Sequence, residues 1–102
     1  MQAALVDIWV RNLPLIQRRL DVVERAATEL AGPSPDSELI ALGRSEAHRL
    51  AGTLGTFGLG RGTALARSLE DGLSERRAGE RTEPMRLAAE LRSLVDGTRT
   101  GS

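Results

Sequence analysis

The sequence predicts an all-α protein, folded as an antiparallel up-down-up-down four-helix bundle. Its apolar residues recur at steps of three and four over four segments, which is the period of helices that bury one face. With one Trp, one Phe and no Tyr, the core has to consist of leucine, valine and alanine, whereas a sheet would favour β-branched and aromatic residues. Glycine and proline breaks separate the segments, and short loops favour antiparallel neighbours.

A length of 102 residues fits one compact domain. We expect the bundle to occupy residues 1–97. Residues 98–102 contain no apolar side chain that could dock on it, so they are expected to be a flexible tail or the start of a linker. On this interpretation, the chain is one module of a larger multidomain protein.

The first element is a long helix with one irregularity. Pro14 lies within it, and because proline lacks the backbone donor and crowds the preceding turn, we expect a kink or a break there. Trp9 is interpreted as a core anchor rather than a ligand-stacking residue. The inward-facing positions are Trp9, Leu13, Ile16, Leu20, Val23, Ala27 and Leu30.

The second element follows a loop rich in proline. Ser34 is placed to cap a helix whose first position is Pro35. The helix accepts Gly43, Gly52 and Gly55, although each interior glycine costs about 1 kcal/mol relative to alanine. The residues expected to face inward are Leu39, Leu42, Ala47, Leu50, Leu54 and Phe57.

The last two elements are shorter. A turn containing Gly58, Gly60 and Gly62 precedes a third helix, and a polar connection over residues 75–83 precedes the fourth, with Thr82 as its cap and an end near Gly97. Outward positions of the third helix are Arg67, Glu70 and Asp71. The predicted inward positions are Leu65, Ala66, Leu69 and Leu73 in the third helix, and Met85, Ala88, Leu91 and Val95, flanked by Leu87 and Leu94, in the fourth.

Composition narrows the classes of function. Fourteen basic and fourteen acidic side chains balance, which disfavours nucleic acid or an anionic membrane as the main partner. The apolar start over residues 3–6 is interrupted by Asp7 and Arg11, so no signal peptide or membrane span is predicted, and a cytoplasmic protein is expected. Without cysteine or a second histidine, and without a P-loop, no metal site and no cofactor is expected.

The only histidine lies in the second helix. At about 100° per residue, His48 falls on the side away from the apolar stripe, so its imidazole is expected to face solvent. A neutral imidazole is a nucleophile near pH 7 and can carry a phosphoryl group. Gly52, one turn later, leaves room beside the ring. The neighbours predicted on this outer surface are Ala41, Arg44, Ala51, Gly52 and Gly55.

These residues resemble the motif of the histidine phosphotransfer (HPt) domain family. That motif is roughly His-x-Leu-Lys-Gly, followed by Gly-Ala or Gly-Leu and by a Leu-Glu pair in the next helix. Here the matching residues are His48, Leu50, Gly52, Gly58 and Leu59, followed by Leu69 and Glu70. The resemblance covers most of the chain and implies a four-helix bundle.

The same resemblance implies a function. His48 would accept a phosphoryl group, Leu50 would be core, and Gly52 would give a partner clearance. The implied partners are a histidine kinase and the receiver domain of a response regulator, with the chain acting as an intermediate and not as an independent enzyme.

The chain departs from the motif at Ala51, where the family has lysine. Arg44, one turn before His48, or Arg49, beside it, could replace the missing cation, since guanidinium groups suit phosphate. Alternatively, both are solvated surface charges.

Two alternative functions remain open. One is a degenerate, non-catalytic docking module, whose small-residue face at Ala51, Gly52 and Gly55 binds a partner helix. The other is a small hydrolase with His48 as general base, which is disfavoured because the sequence indicates no residue that would orient the imidazole.

Overall fold

The computed structural model describes residues 3–74 and 81–98, and these residues form four α-helices. The helices are α1 (Ala3–Ala31), α2 (Ser37–Thr56), α3 (Gly60–Gly72) and α4 (Glu83–Gly97). The predicted all-α, four-helix fold is therefore confirmed. Most of the polar connection before α4 and residues 99–102 of the expected tail lie outside the described residues.

The helices form a closed ring in which α1 contacts α2 and α4, and α3 contacts α2 and α4. Cross-helix pairs give the directions: Ala26 of α1 meets Gly43 of α2, whereas the earlier Arg19 pairs with the later Glu46. Descending numbers in one helix thus meet ascending numbers in the next, as expected for antiparallel neighbours. The bundle measures 45 × 19 × 18 Å.

The core is aliphatic apart from one aromatic pair. Trp9 is buried, as predicted, and its ring meets Phe57 edge to face, with centroids 5.1 Å apart and planes at 85°. This contact joins the start of α1 to the end of α2. The other buried side chains are Ile16, Leu20, Val23, Ala26, Ala27, Ile40, Ala47, Leu50, Ala51, Leu54, Leu65, Ala66, Leu69, Leu73, Pro84, Leu87, Ala88, Leu91 and Val95.

Two residues predicted to face inward are exposed instead. Leu42 is 49% exposed, because the adjacent Gly43 faces α1 and Leu42 lies about 100° further around the helix. Ile40 is buried in the first turn of α2, and Leu39 is only half-buried. Met85 is 43% exposed, because Pro84 takes the inward position and packs near Gly72.

The predicted irregularity at Pro14 is not a break. α1 continues through Pro14 as one helix of 29 residues. Because Pro14 has no backbone N–H, the carbonyl of Val10, four residues earlier, receives no hydrogen bond from it. Val10 is exposed, so water can donate to this carbonyl instead.

The predicted start of α2 is also corrected. The helix begins at Ser37, and its cap is Asp36 instead of Ser34. The Oδ1 atom of Asp36 accepts hydrogen bonds from the backbone N–H groups of Glu38 at 2.9 Å and Leu39 at 3.4 Å. In α4, Thr82 occupies the predicted cap position without a side-chain capping bond, and the helix ends at Gly97 as expected.

Polar contacts join α4 and the segment before it to α1. Arg92 of α4 donates to Glu24 at 2.6 and 3.0 Å and also to Asp21. The hydrogen bond to Glu24 is the main reason why the pKa of Arg92 is raised above its ordinary value. Before α4, the guanidinium of Arg81 donates to the carbonyl of Leu30 in the last turn of α1 and to that of Gly32 just after the helix. These contacts close the ring between the first and last helices.

Across the described residues, no helix combines the length and the apolarity that crossing a membrane requires.

Candidate functional site

His48 lies near the middle of α2 on the side away from the core. Its side chain is 74% exposed, while the flanking Ala47 and Leu50 are fully buried. Burial of those two neighbours fixes the rotation of the helix about its axis, and this rotation directs the imidazole into solvent. The prediction that the imidazole faces solvent is therefore confirmed.

The imidazole contacts a carboxylate of α3. His48 Nδ1 lies 3.1 Å from Oε2 and 3.2 Å from Oε1 of Glu70, whose side chain is 36% exposed. An ionised carboxylate only accepts hydrogen bonds, so Nδ1 has to carry the donated proton. In the neutral ring, the lone pair then remains on Nε2. Glu70 therefore selects the nucleophilic nitrogen and orients the ring.

The turn between α2 and α3 sets the register that brings Glu70 to His48. Gly58 has φ of +73°, a left-handed conformation that glycine adopts without strain. Phe57 and Leu59 each donate a backbone hydrogen bond to the carbonyl of Leu54, which ends α2 and reverses the chain. A little further on, the hydroxyl of Thr63 donates to the carbonyl of Ala51 at 3.4 Å.

Gly52 and Gly55, which we call the glycine patch, are both exposed. A Cβ atom added at Gly52 would meet nothing within 4 Å, and one at Gly55 would make only an ordinary contact, 3.5 Å from Thr63 Oγ1. Packing within this domain therefore does not require glycine at either position. The space predicted beside His48 is present.

Ala51 does not belong to this outer surface, contrary to the prediction. It is only 6% exposed, since α3 covers it and Thr63 bonds to its carbonyl. A partner that approaches His48 would thus meet the glycine patch and not the side chain of Ala51.

The two candidate replacement cations have different surroundings. Arg49 Nη1 lies 3.8 Å from Glu46 Oε1, and Glu46 also pairs with Arg19 of α1 at 3.4 Å. Arg49 is thus associated with the α1 side of α2. Arg44 instead lines an open depression of about 370 Å³ between α2 and α3, and Glu70 lines the same depression. The remaining lining residues are Arg67, Asp71 and Ser74.

Glu70 is the site residue that the sequence reasoning missed. Helical periodicity predicts only that Glu70 lies with Arg67 and Asp71 on the outer face of α3, although the Leu69-Glu70 pair belongs to the family motif. That pair was the signal that could have identified it. Glu70 thus orients the imidazole, although the sequence indicated no residue that would do so.

The described residues contain no group of three or more His, Cys, Asp or Glu side chains that could hold a metal ion. In a comparison with protein families, the model of the Hpt domain matches residues 10–101. No curated protein and no solved structure matches the chain.

Proposed function

The chain belongs to the Hpt domain family, and on that premise we propose that His48 is the residue that accepts and passes on a phosphoryl group. Hpt domains are phosphotransfer modules of phosphorelays, in which they act with the kinases and receivers of two-component systems. The proposed donor and acceptor for His48 is a receiver-domain aspartate, and a histidine kinase is the alternative donor.

The contact between His48 and Glu70 carries this proposal. With the proton held on Nδ1, the Nε2 lone pair attacks the phosphorus of an aspartyl phosphate on the receiver. The new N–P bond forms while the P–O bond to the aspartyl carboxyl group breaks, and its electron pair leaves with the carboxylate. The proton on Nδ1 stays in place, so the ring becomes a phosphorylated imidazolium whose positive charge lies beside Glu70.

The reverse reaction uses the same geometry. Attack by a receiver carboxylate on the phosphorus returns the electron pair to Nε2 and restores the neutral ring. The side chain of His48 is 74% exposed, so a partner can approach it directly and supply most of the groups that neutralise the phosphoryl oxygens. This division supports a carrier that works together with a partner, and the glycine patch leaves room for that partner's backbone.

A docking module without phosphotransfer is the second candidate, and it rests on Ala51, where the family has lysine. The presence of an oriented, exposed imidazole favours transfer, because docking alone would not require a carboxylate on Nδ1.

Phosphotransfer from a phosphorylated receiver domain tests the proposal. The wild-type chain should gain acid-labile, base-stable label, and His48→Gln should gain none. Glu70→Gln should slow transfer by roughly 10- to 100-fold, the usual cost of removing a group that orients an imidazole. Glu90→Gln is the matched control, because Glu90 lies on α4 and pairs with Arg61 and Arg86, away from His48.

Imidazole ¹⁵N shifts separate orientation from general structural damage. In the wild-type chain, the spectra should report a proton on Nδ1, and in Glu70→Ala this preference should be lost while the helical circular dichroism stays unchanged. Label on His48→Gln would eliminate the role of His48. A wild-type chain that takes no label from any of several receivers would favour the docking module.

A further inference from the structure

The outer face of α1 carries a repeat that neither the core nor the His48 site uses. Three aliphatic residues recur every seven positions, and each is followed three residues later by arginine. We propose that this face binds an acidic amphipathic helix of a partner protein. We call this face of α1 the α1 stripe, and it consists of Ile8, Arg11, Leu15, Arg18, Val22 and Arg25.

The α1 stripe is accessible in the folded domain. Ile8 is 45% and Leu15 is 38% exposed, among the largest exposures of aliphatic side chains in the described residues. Val22 is half-buried, and the three arginines are exposed. The core of α1 uses the positions one residue further on, Trp9 and Ile16 among them, so folding does not require the apolar residues of the stripe.

The arginines of the stripe have no acidic partner in the described part of the chain. Arg11, Arg18 and Arg25 form none of the ion pairs there. In contrast, Arg19 of α1 pairs with a carboxylate of α2, and Arg92 of α4 pairs with carboxylates of α1. The stripe thus combines exposed apolar groups with unpaired positive charge.

The seven-residue spacing identifies a helix as the partner element. Seven residues make almost two turns, so successive members drift by only about 20° and stay in one line along the helix. From Ile8 to Arg25 this line is about 26 Å long at 1.5 Å per residue. A second helix can follow such a line by placing its own apolar residues against the aliphatic positions.

The charges decide which helix fits. A second copy of this chain, paired in parallel through the same stripe, would set each arginine against its own equivalent, and like charges repel. A helix with glutamate or aspartate repeating every seven residues would instead pair with all three arginines. The face also lacks the Trp and Phe side chains and the wide apolar surface that membrane-binding helices present.

A designed peptide of three heptads tests the proposal. Each heptad carries a leucine and, three residues later, a glutamate, which matches the spacing of the aliphatic residues and arginines in the α1 stripe. A neutral version of the peptide carries glutamine in place of glutamate. Fluorescence anisotropy of the labelled peptides with the full chain measures binding. The acidic peptide should bind more tightly than the neutral one, and added salt should weaken the acidic complex.

Matched variants locate the binding surface. Arg18→Glu, at the centre of the stripe, should weaken binding of the acidic peptide by about tenfold, and Leu15→Ser should also weaken it. Arg67→Glu makes the same charge change on α3 and should leave binding unchanged. Circular dichroism verifies that each variant is folded, and Arg18→Glu should retain phosphotransfer, because His48 and Glu70 belong to α2 and α3.

Three results would overturn the proposal. The first is equal binding of the acidic and neutral peptides, and the second is equal weakening by Arg18→Glu and Arg67→Glu. The third is failure to bind the acidic peptide. In that case, cosedimentation with phosphatidylglycerol vesicles that Arg18→Glu reduces would identify a membrane as the ligand, whereas a dimer in sedimentation that Arg18→Glu dissociates would identify a second copy.

Discussion

Under the proposed function, Ala51 and the two arginines near it decide where a positive charge could meet the phosphoryl group on His48. Alanine carries no charge, and Ala51 is buried, so a cation beside the phosphoryl group would come from another position. Arg44 lies four residues before His48, a spacing that places two side chains on the same helix face. Arg49 lies about 100° around the helix from His48 and is paired with Glu46. The sequence left both residues open, and the structure favours Arg44.

Arg44→Ala should therefore lower the rate of transfer from a phosphorylated receiver by about tenfold, because it removes one charge-assisted contact in the transition state. Arg49→Ala should leave the rate near that of the wild-type chain. Single-turnover transfer assays measure both rates, with circular dichroism as the check on folding. Equal rates for Arg44→Ala and the wild-type chain would remove Arg44 from the reaction, and a slower Arg49→Ala would reassign the role.

At the scale of the element, α2 contains interior glycines of two kinds. Gly43 faces α1 at a close approach, where an added Cβ would lie 2.2 Å from the Cβ of Ala26. Gly52 faces open space. Both lower the helix propensity of α2 by a similar amount. Gly43 has a packing reason for this cost, whereas no contact among the described residues requires glycine at position 52. Under the proposed function, Gly52 leaves room for the docking partner.

Alanine substitutions should separate these two kinds of glycine. Gly52→Ala should raise the free energy of unfolding by about 1 kcal/mol, because it removes the backbone entropy cost and meets no neighbour. Gly43→Ala should lower it by about 1 kcal/mol or more, since overpacking outweighs the gain in propensity. Urea unfolding measures both. Stabilisation by Gly43→Ala would mean that α1 and α2 separate at little cost.

At the scale of the whole molecule, α1 and α4 are far apart in sequence and close the bundle. Their buried faces meet in the core, and Arg92 adds hydrogen bonds to Asp21 and Glu24 across the seam. Arg86 forms a comparable set of contacts with Glu83 and Glu90, but all of them lie within α4. Of these two arginines, only Arg92 therefore contributes to the closure of the ring.

Arg92→Met should lower the free energy of unfolding by about 1 kcal/mol, the upper end of the range for partly exposed ion pairs. Methionine retains much of the apolar stem, so this loss reports the ion pairs and not the packing. Arg86→Met should have a smaller effect, because it leaves the seam between α1 and α4 unchanged. Thermal and urea unfolding of the two variants provide the comparison. A larger loss for Arg86→Met would assign the electrostatic stability to α4 alone.

The sequence by itself determined the four helices, most of the core and the exposure of His48. These properties follow from periodicity, because the positions of Leu50 and Leu54 fix which side of α2 is buried and therefore which side His48 occupies. The resemblance to the family also rests on local spacing, and the family match confirms it. Local pattern was less reliable at helix ends, where Asp36 instead of Ser34 caps α2.

Only the tertiary structure decided which helix covers each side of its neighbour. Periodicity gives the angle of a residue about its own helix axis, but not the register or the width of the adjacent helix. It therefore could not predict that α3 buries Ala51, that Leu42 stays exposed, or that Arg44 and Arg49 have different surroundings. For the same reason, periodicity could not predict the contact between His48 and Glu70, 22 residues later. This contact depends on the register of α3, which the turn at the end of α2 sets.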